Sequence, residues 1–560
     1  MTTPRIVNII NFIRALDAPG GRTDLYEPLV HQLRLCKQFD LPATFLLEYD
    51  ALIEPRYVGL LKAEIGSNGN YEIGGWLEIV QPLVEKAGLK WRGRCMWDSH
   101  AHVAFSPGYT PDERERLVDV YMTDFRKTFG SLPRSMGSWF MDAHTLAYMA
   151  DKYEIIGSCN CKDQIGTDGY TLWGGYWNQA YYPSRKNAFM PAQTADAQIP
   201  VPVFRMLGSD PIYQYENGIG TDWQNTSSLE PVYVDTGGNP EWVRWFFDVL
   251  RNHPCVSFAY AQAGQENSFS WPAMAQGYAD QMEFLAGLAR QGGVRIETLE
   301  TSAAWFRDKY NLTPPSAITA LSDPRNQGRK AVWYNSRFYR TSLAWNKSDF
   351  LVRDIHLFNQ DYAERYLSEV CTTAQSCYDT LPVLDGFRWS SAGRRAGIRL
   401  VGKQGGTPLM GSDPTVTEPG NGVLKVNWPL KDGGSLDILC EEGAMTFSAT
   451  GLKHWMLELS WCPAKKSAVT GVRDNAIEFM HEGFTYEVMA SSGSCARADE
   501  PDAIILKPSN GALQLVFGGL SGRIRSSLRS RGYYGRAGYD KRTQQGAFAS
   551  VESTNAHRAK

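Results

Sequence analysis

The sequence predicts an α/β chain in two parts, a (β/α)7–8 barrel over residues 1–315 and a β-sandwich over residues 316–520. Three observations predict it. In the first part, short apolar runs alternate with amphipathic stretches, the pattern of parallel strands joined by helices. After Pro314-Pro315 the helical periodicity gives way to short β-rich runs punctuated by Gly-Gly, Asp-Pro and Asn-Gly, the texture of a sandwich. A length of 560 residues also exceeds one ordinary core, so two or three domains are expected.

Taken in order, residues 6–14 read as the first strand, and residues 26–39 as a helix with Leu29, Leu33, Leu35, Cys36 and Phe39 near helical spacing. Residues 43–47 form the second strand after a Leu-Pro stop, and residues 71–78 the third. Residues 111–129 read as a long helix, with Asp112 and Glu113 in its first turn, Arg126 and Lys127 in its last, and Gly130 at its end. Further strands are expected at 154–159, 201–207, 255–260 and 294–297, with a helix over 277–290. In the second part, strands are expected at 331–334, 351–357, 397–401, 423–426, 436–440, 456–461, 476–480 and 513–517. Residues 521–560 are Arg-, Gly- and Ser-rich and read as a mobile tail.

A net charge of −3 offers no basic excess, so neither nucleic acid nor an anionic membrane is an expected partner. No run approaches the length of a membrane span, and the apolar start is interrupted by Asn8, Asn11 and Arg14, unlike a secretory leader. A cytoplasmic protein with free thiols is therefore expected, its ten Cys being scattered without a disulfide framework. Aromatic content is high at 12%, with 17 Trp and 27 Tyr, and such flat faces suit stacking on sugar rings as well as core packing.

In a parallel barrel, functional groups belong at the carboxyl ends of strands, which makes the search for them selective. Arg14 ends the first strand, where it orients a substrate or forms a structural ion pair. After the third strand, Trp76 and Glu78 sit beside a tight Gly74-Gly75 backbone and are candidates to stack on and hydrogen-bond a ligand. Trp139 and Asp142 follow in Gly137-Ser138-Trp139-Phe140-Met141-Asp142, where Asp142 projects into the barrel mouth or serves only as a helix N-cap. Asp163 follows the strand at 154–159. Arg205 and Asp210 lie where residues 201–207 run into a loop, although Asp before Pro also starts turns. Gln265, Glu266 and Asn267 belong to a stretch too polar for a barrel core, which reads as a polyol-binding edge. In Trp97-Asp98-Ser99-His100-Ala101-His102, an extended segment would point His100 and His102 the same way. With no third ligand at a recognisable spacing, substrate contact or a structural role is the reading for them, and no metal and no cofactor are expected.

These segments, in this order, resemble over residues 5–310 the barrel shared by polysaccharide deacetylases and glycoside hydrolase family 57. Pro42-Ala43-Thr44-Phe45 looks like the second-strand signature of the deacetylases. Glu72-Ile73-Gly74-Gly75 looks like their E-I-G-x-H stretch, with Trp76 where the metal-binding His stands and Ile13 and Arg14 in place of the first-strand aspartates. Gly137 to Asp142 is similar to the family 57 motif G-x-W-x-P-E, with Asp for Glu. Phe204 to Asp210 resembles F-R-D-x-x-S-D, with Met206 for the first Asp, and Gly264-Gln265-Glu266 looks like D-G-E. The chain also looks like an uncharacterised bacterial family of this clan. The resemblance implies a carbohydrate substrate and glycosidic bond cleavage by two carboxylates, with Asp142 as nucleophile or base and Asp210 as acid/base. Asp163 and Glu266 are the next candidates. Two rivals remain: a metal-dependent carbohydrate deacetylase using Asp98, His100 and His102, and a non-catalytic carbohydrate-binding protein. Homo-oligomerisation stays open.

Overall fold

A computed structural model describes residues 3–17, 23–65 and 69–518. The Arg-, Gly- and Ser-rich tail lies outside the described residues. Five strands, β1 (Arg5–Ile13), β2 (Ala43–Leu47), β3 (Tyr71–Trp76), β4 (Ser135–Gly137) and β5 (Gly157–Asn160), pair in parallel in that order. The strand Val203–Arg205 extends the sheet beyond β5, and Ala259–Ala263 pairs with β1 on the other side. Arg295–Glu297 also runs parallel to β1, at residues 6–8. All of these strands therefore present their carboxyl ends at one mouth.

Among the described residues the curled sheet is not closed by a continuous backbone ladder. Between Val203–Arg205 and Ala259–Ala263, side-chain amides stand in for it. Gln179 Oε1 accepts from the Tyr260 amide at 2.9 Å, and Gln262 Oε1 accepts from the Leu207 amide at 2.6 Å. Gln262 Nε2 donates to the Ala263 carbonyl at 2.7 Å. A buried glutamine presents both a donor and an acceptor, as a peptide unit does, which is why it serves at such a seam.

Packing explains the tight backbone at β3. A Cβ on Gly75 would collide with Met136 and the Tyr121 ring, and one on Gly74 with Leu46 and the Ser135 carbonyl. The helix Pro111–Phe129 spans the expected residues, with a capping box between Thr110 and Glu113 and Gly130 left-handed at its end. Helices at Pro240–Asn252 and Leu299–Lys309 were not expected from the sequence. The third strand is shorter than expected and stops at Trp76, which leaves Glu78 in the loop.

From Ser316 onward the chain builds two large antiparallel sheets of nine and eight strands. In the second, Val423–Pro429 and Ser435–Glu441 alternate buried and partly exposed residues, so each covers one face of a core. Phe350 of the first sheet meets Trp428 of the second at 5.0 Å between centroids. These sheets also grip the barrel. Tyr170–Trp173 pairs in parallel with Ser376–Asp379, Trp177 stacks on Trp333 at 3.8 Å, and one apolar cluster runs through both parts. All ten cysteines are unpaired.

Candidate active site

Parallel pairing brings Arg14 after β1, Glu48 after β2, Trp76 and Glu78 after β3, Trp139 after β4, Lys162 after β5 and Glu266 after Ala259–Ala263 to one end of the sheet. Long loops add Asp168, Glu230 and Tyr233. At the hinge of the last strand, Gly264 has φ 101° and a Cβ there would strike the Ile10 backbone. Only glycine fits, and it turns Gln265 and Glu266 into the mouth.

The aromatic wall is continuous. Phe12 lies 4.4 Å from Trp76 and 5.4 Å from Trp139, and Trp76 meets Trp139 edge-on at 5.2 Å. The Trp76 and Trp97 indoles donate to the two oxygens of Glu78 at 3.1 and 3.0 Å, which fixes that carboxylate. Trp97 carries the Arg14 guanidinium over its ring at 4.1 Å. Trp97 and Trp139 are partly exposed, so their faces are available to a ligand.

Electrostatically the mouth is overloaded with carboxylates. Burial, with like charge from Asp50 and Glu78, pushes Glu48 far above the usual carboxylate range. Burial raises Glu78 against the pull of Arg14. Burial also raises Asp50 to about 6, although the amides of Ala15, Leu16 and Ala51 all donate to it. Glu230 is pushed up to about 7 by burial, opposed by the Ser228 hydroxyl and reinforced by Glu266. Glu266, partly exposed, is raised by burial and drawn down by Arg14 and Ser268. Two cations answer these groups. Burial works against charge on Arg14, but Glu266, Glu78, Glu48 and Asp50 hold its pKa up. Lys162 is fully buried, which lowers its pKa, with Cys161, Glu230 and Asp168 opposing.

Several expected site residues carry hydrogen bonds or ion pairs within the protein. Asp142 caps the helix Ala143–Tyr153: it accepts from the Thr145 amide at 2.9 Å and from Arg114 at 3.0 Å, with the Thr145 and Ser106 hydroxyls on its other oxygen. Asp210 is held in a similar way. One oxygen accepts from the amides of Ile212 and Tyr213 and the other from the Trp242 indole, so it ties a buried turn. Asp163 lies between Arg205, at 2.6 Å, and Arg340 of the second part, and also accepts from the Gly174 amide. Arg205 pairs with Asp163 through one nitrogen, while its Nε and Nη1 have no hydrogen-bond partner among the described residues. Asn267 holds the chain after β1 through the Arg14 backbone and the Leu25 carbonyl. Gln265 stays at the site, but as a brace whose amide donates to Glu230 at 3.3 Å.

His100 and His102 do not lie in an extended segment. They begin the short helix Ala101–Ala104, with His100 at its N-cap and the two rings 5.7 Å apart. Asp98 is engaged by Arg94 and by His100 at 2.9 Å, and these partners hold its pKa down at about 2 against the effect of burial. Among the described residues no three His, Cys, Asp or Glu side chains converge in an arrangement that could hold a metal ion. No helix among them is long and apolar enough to cross a membrane.

Glu48, Asp50, Lys162, Asp168 and Glu230 were not anticipated. The strand-end rule reaches Glu48, which directly follows β2, and Lys162, two residues after β5. For Glu230, in the loop between Arg205 and Pro240, no local signal exists.

No family model matches the chain, and no curated protein matches it. Among solved structures it is similar to a "putative glycoside hydrolase/deacetylase" from Parabacteroides distasonis, at 15% identity over 68% of this chain and 90% of that one, with a TM-score of 0.47. It is also similar to a "putative polysaccharide deacetylase" from Mycobacterium smegmatis, at 14% identity over 55% and 91% with a TM-score of 0.35. A third is the PuuE allantoinase, at 13% identity over 55% and 93% with a TM-score of 0.34.

Proposed function

We propose that the barrel mouth is the active site of a carbohydrate-active hydrolase that cleaves glycosidic bonds with two carboxyl groups, Glu230 and Glu266. The observation that carries this reading is Glu230, poised at about 7 beside a second, partly exposed carboxylate. A buried carboxyl that keeps its proton near neutral pH is suited to protonate a departing glycosidic oxygen. Glu266, with Arg14 favouring its ionised form, attacks the anomeric carbon or takes a proton from water that does so. The sugar ring stacks on Trp139 and Trp97, Glu78 and Arg14 hydrogen-bond its hydroxyls, and Trp76 backs Glu78. Gln265 orients the Glu230 carboxyl.

The test is turnover of a panel of aryl glycosides and unactivated oligosaccharides by wild type, Glu230→Gln and Glu266→Gln. Each variant is expected to lose at least about 100-fold in kcat/KM on oligosaccharides. Glu230→Gln should retain most activity on aryl glycosides, whose leaving groups need no proton. Full activity in both variants would refute the assignment. Binding without any turnover would favour a non-catalytic carbohydrate-binding protein, and chelator-sensitive acetate release from an acetylated glycan would favour a deacetylase.

A further inference from the structure

Glu48 is a buried residue to which cleavage itself assigns no task. It directly follows β2 at the mouth and is 1% exposed, yet neither of its carboxylate oxygens has a hydrogen-bond partner among the described residues. Leaving a buried polar group unsatisfied costs about 1–3 kcal/mol, and more for a charged one. The surroundings add to that cost. Asp50, Glu78 and Glu266 press on Glu48 with like charge, and Arg14 opposes them. That guanidinium is shared among all four carboxylates. Glu78 is satisfied by two indoles and Asp50 by three backbone amides, whereas Glu48 is left over.

The deficit is one of positive charge and of hydrogen-bond donors. A bare metal ion does not fit it, because no three of these groups converge as ligands among the described residues. A cation carried on a larger, flat-faced body does. The Trp97 ring already holds a guanidinium at 4.1 Å, so the aromatic wall accepts cations on its faces.

We propose that the saccharide taken by this site bears a free amine, and that Glu48 receives its ammonium group. The proposal rests on the reading of the mouth as a saccharide-cleaving site and names the substrate class. An ammonium brings three donors and the charge that four carboxylates sharing one guanidinium lack. A hydroxyl satisfies one oxygen and leaves the repulsion in place, and an acetamido group is neutral. Because burial and like charge hold the Glu48 carboxyl far above the usual carboxylate range, arrival of the ammonium displaces its proton to solvent.

The experiment is calorimetric titration of the full chain with three β-1,4-linked tetramers: glucosamine, N-acetylglucosamine and glucose. It is run at a mildly acidic pH, where the glucosamine amines are protonated, in two buffers of different ionisation enthalpy, with cleavage followed separately. The glucosamine tetramer is expected to bind about tenfold or more tightly than the others, in line with a charged hydrogen bond. Its binding should release protons and weaken with salt. Glu48→Gln should remove that advantage while keeping the affinity for the glucose tetramer. Equal or tighter binding of either neutral tetramer, binding of none, or an advantage that survives Glu48→Gln overturns the proposal. Should that variant not fold, the wild-type comparison of the three tetramers still decides. Binding of the amine form without cleavage refutes the hydrolase and keeps amine recognition. Cleavage without preference for the amine form does the reverse.

Discussion

Glu230 sets the alkaline limit of the proposed chemistry. Its carboxyl must be protonated to act as the acid, and with a value of about 7 the protonated fraction falls as pH rises through neutrality. Glu266 must be ionised, and its value lies above the ordinary carboxylate range, so activity also falls on the acid side. The pH profile of kcat/KM is therefore expected to be bell-shaped, with an alkaline limb near 7 that Glu230→Gln abolishes. A profile still rising above pH 8 would count against Glu230. Asp163 makes the opposite kind of prediction, of stability and not chemistry. Removing it by Asp163→Ala leaves Arg205 and Arg340 buried without their shared carboxylate, at an expected cost of about 3–5 kcal/mol in urea unfolding. A loss under about 1 kcal/mol would mean that the two guanidinium groups find other partners.

Among the elements, the seam between Val203–Arg205 and Ala259–Ala263 is where the barrel depends on side chains. Gln262→Leu removes the acceptor for the Leu207 amide, a bond of 2.6 Å, and the donor to the Ala263 carbonyl. A loss of about 1–3 kcal/mol is expected, with faster hydrogen exchange at the Leu207 amide than in wild type. Unchanged exchange there would show that the glutamine does not close the sheet. The turn tied by Asp210 gives a cleaner separation of structure from chemistry. Asp210→Ala should cost about 1–2 kcal/mol, as the loss of a cap does, while kcat/KM of the folded fraction stays at the wild-type level. A collapse of kcat/KM at unchanged stability would return Asp210 to the catalytic candidates.

For the whole molecule, buried side-chain contacts and a strand pairing join the barrel to the second part. Trp177 on Trp333, the Asp163–Arg340 pair and the ladder between Tyr170–Trp173 and Ser376–Asp379 join the two parts. One cooperative thermal transition is expected for the described residues, with van't Hoff and calorimetric enthalpies in agreement. Two resolved transitions would show that the boundary near residue 315 separates independent units.

The sequence by itself determined the alternation of strands and helices and the change to antiparallel sheets near Ser316. Those features are written in local periodicity and in caps such as Thr110 and Gly130, which act over one or two turns. It also marked Arg14, Trp76, Glu78, Trp139 and Glu266 at strand ends. What it could not separate were carboxylates that look alike in one dimension. Asp142, Asp163 and Asp210 are occupied by groups 28, 177 and 32 residues away, Arg114, Arg340 and Trp242. Glu48 and Glu230 acquire their character from burial among side chains of other strands and loops. Only the tertiary structure decided which carboxylates are satisfied and which are left facing the mouth, because desolvation and pairing are set by distance in space.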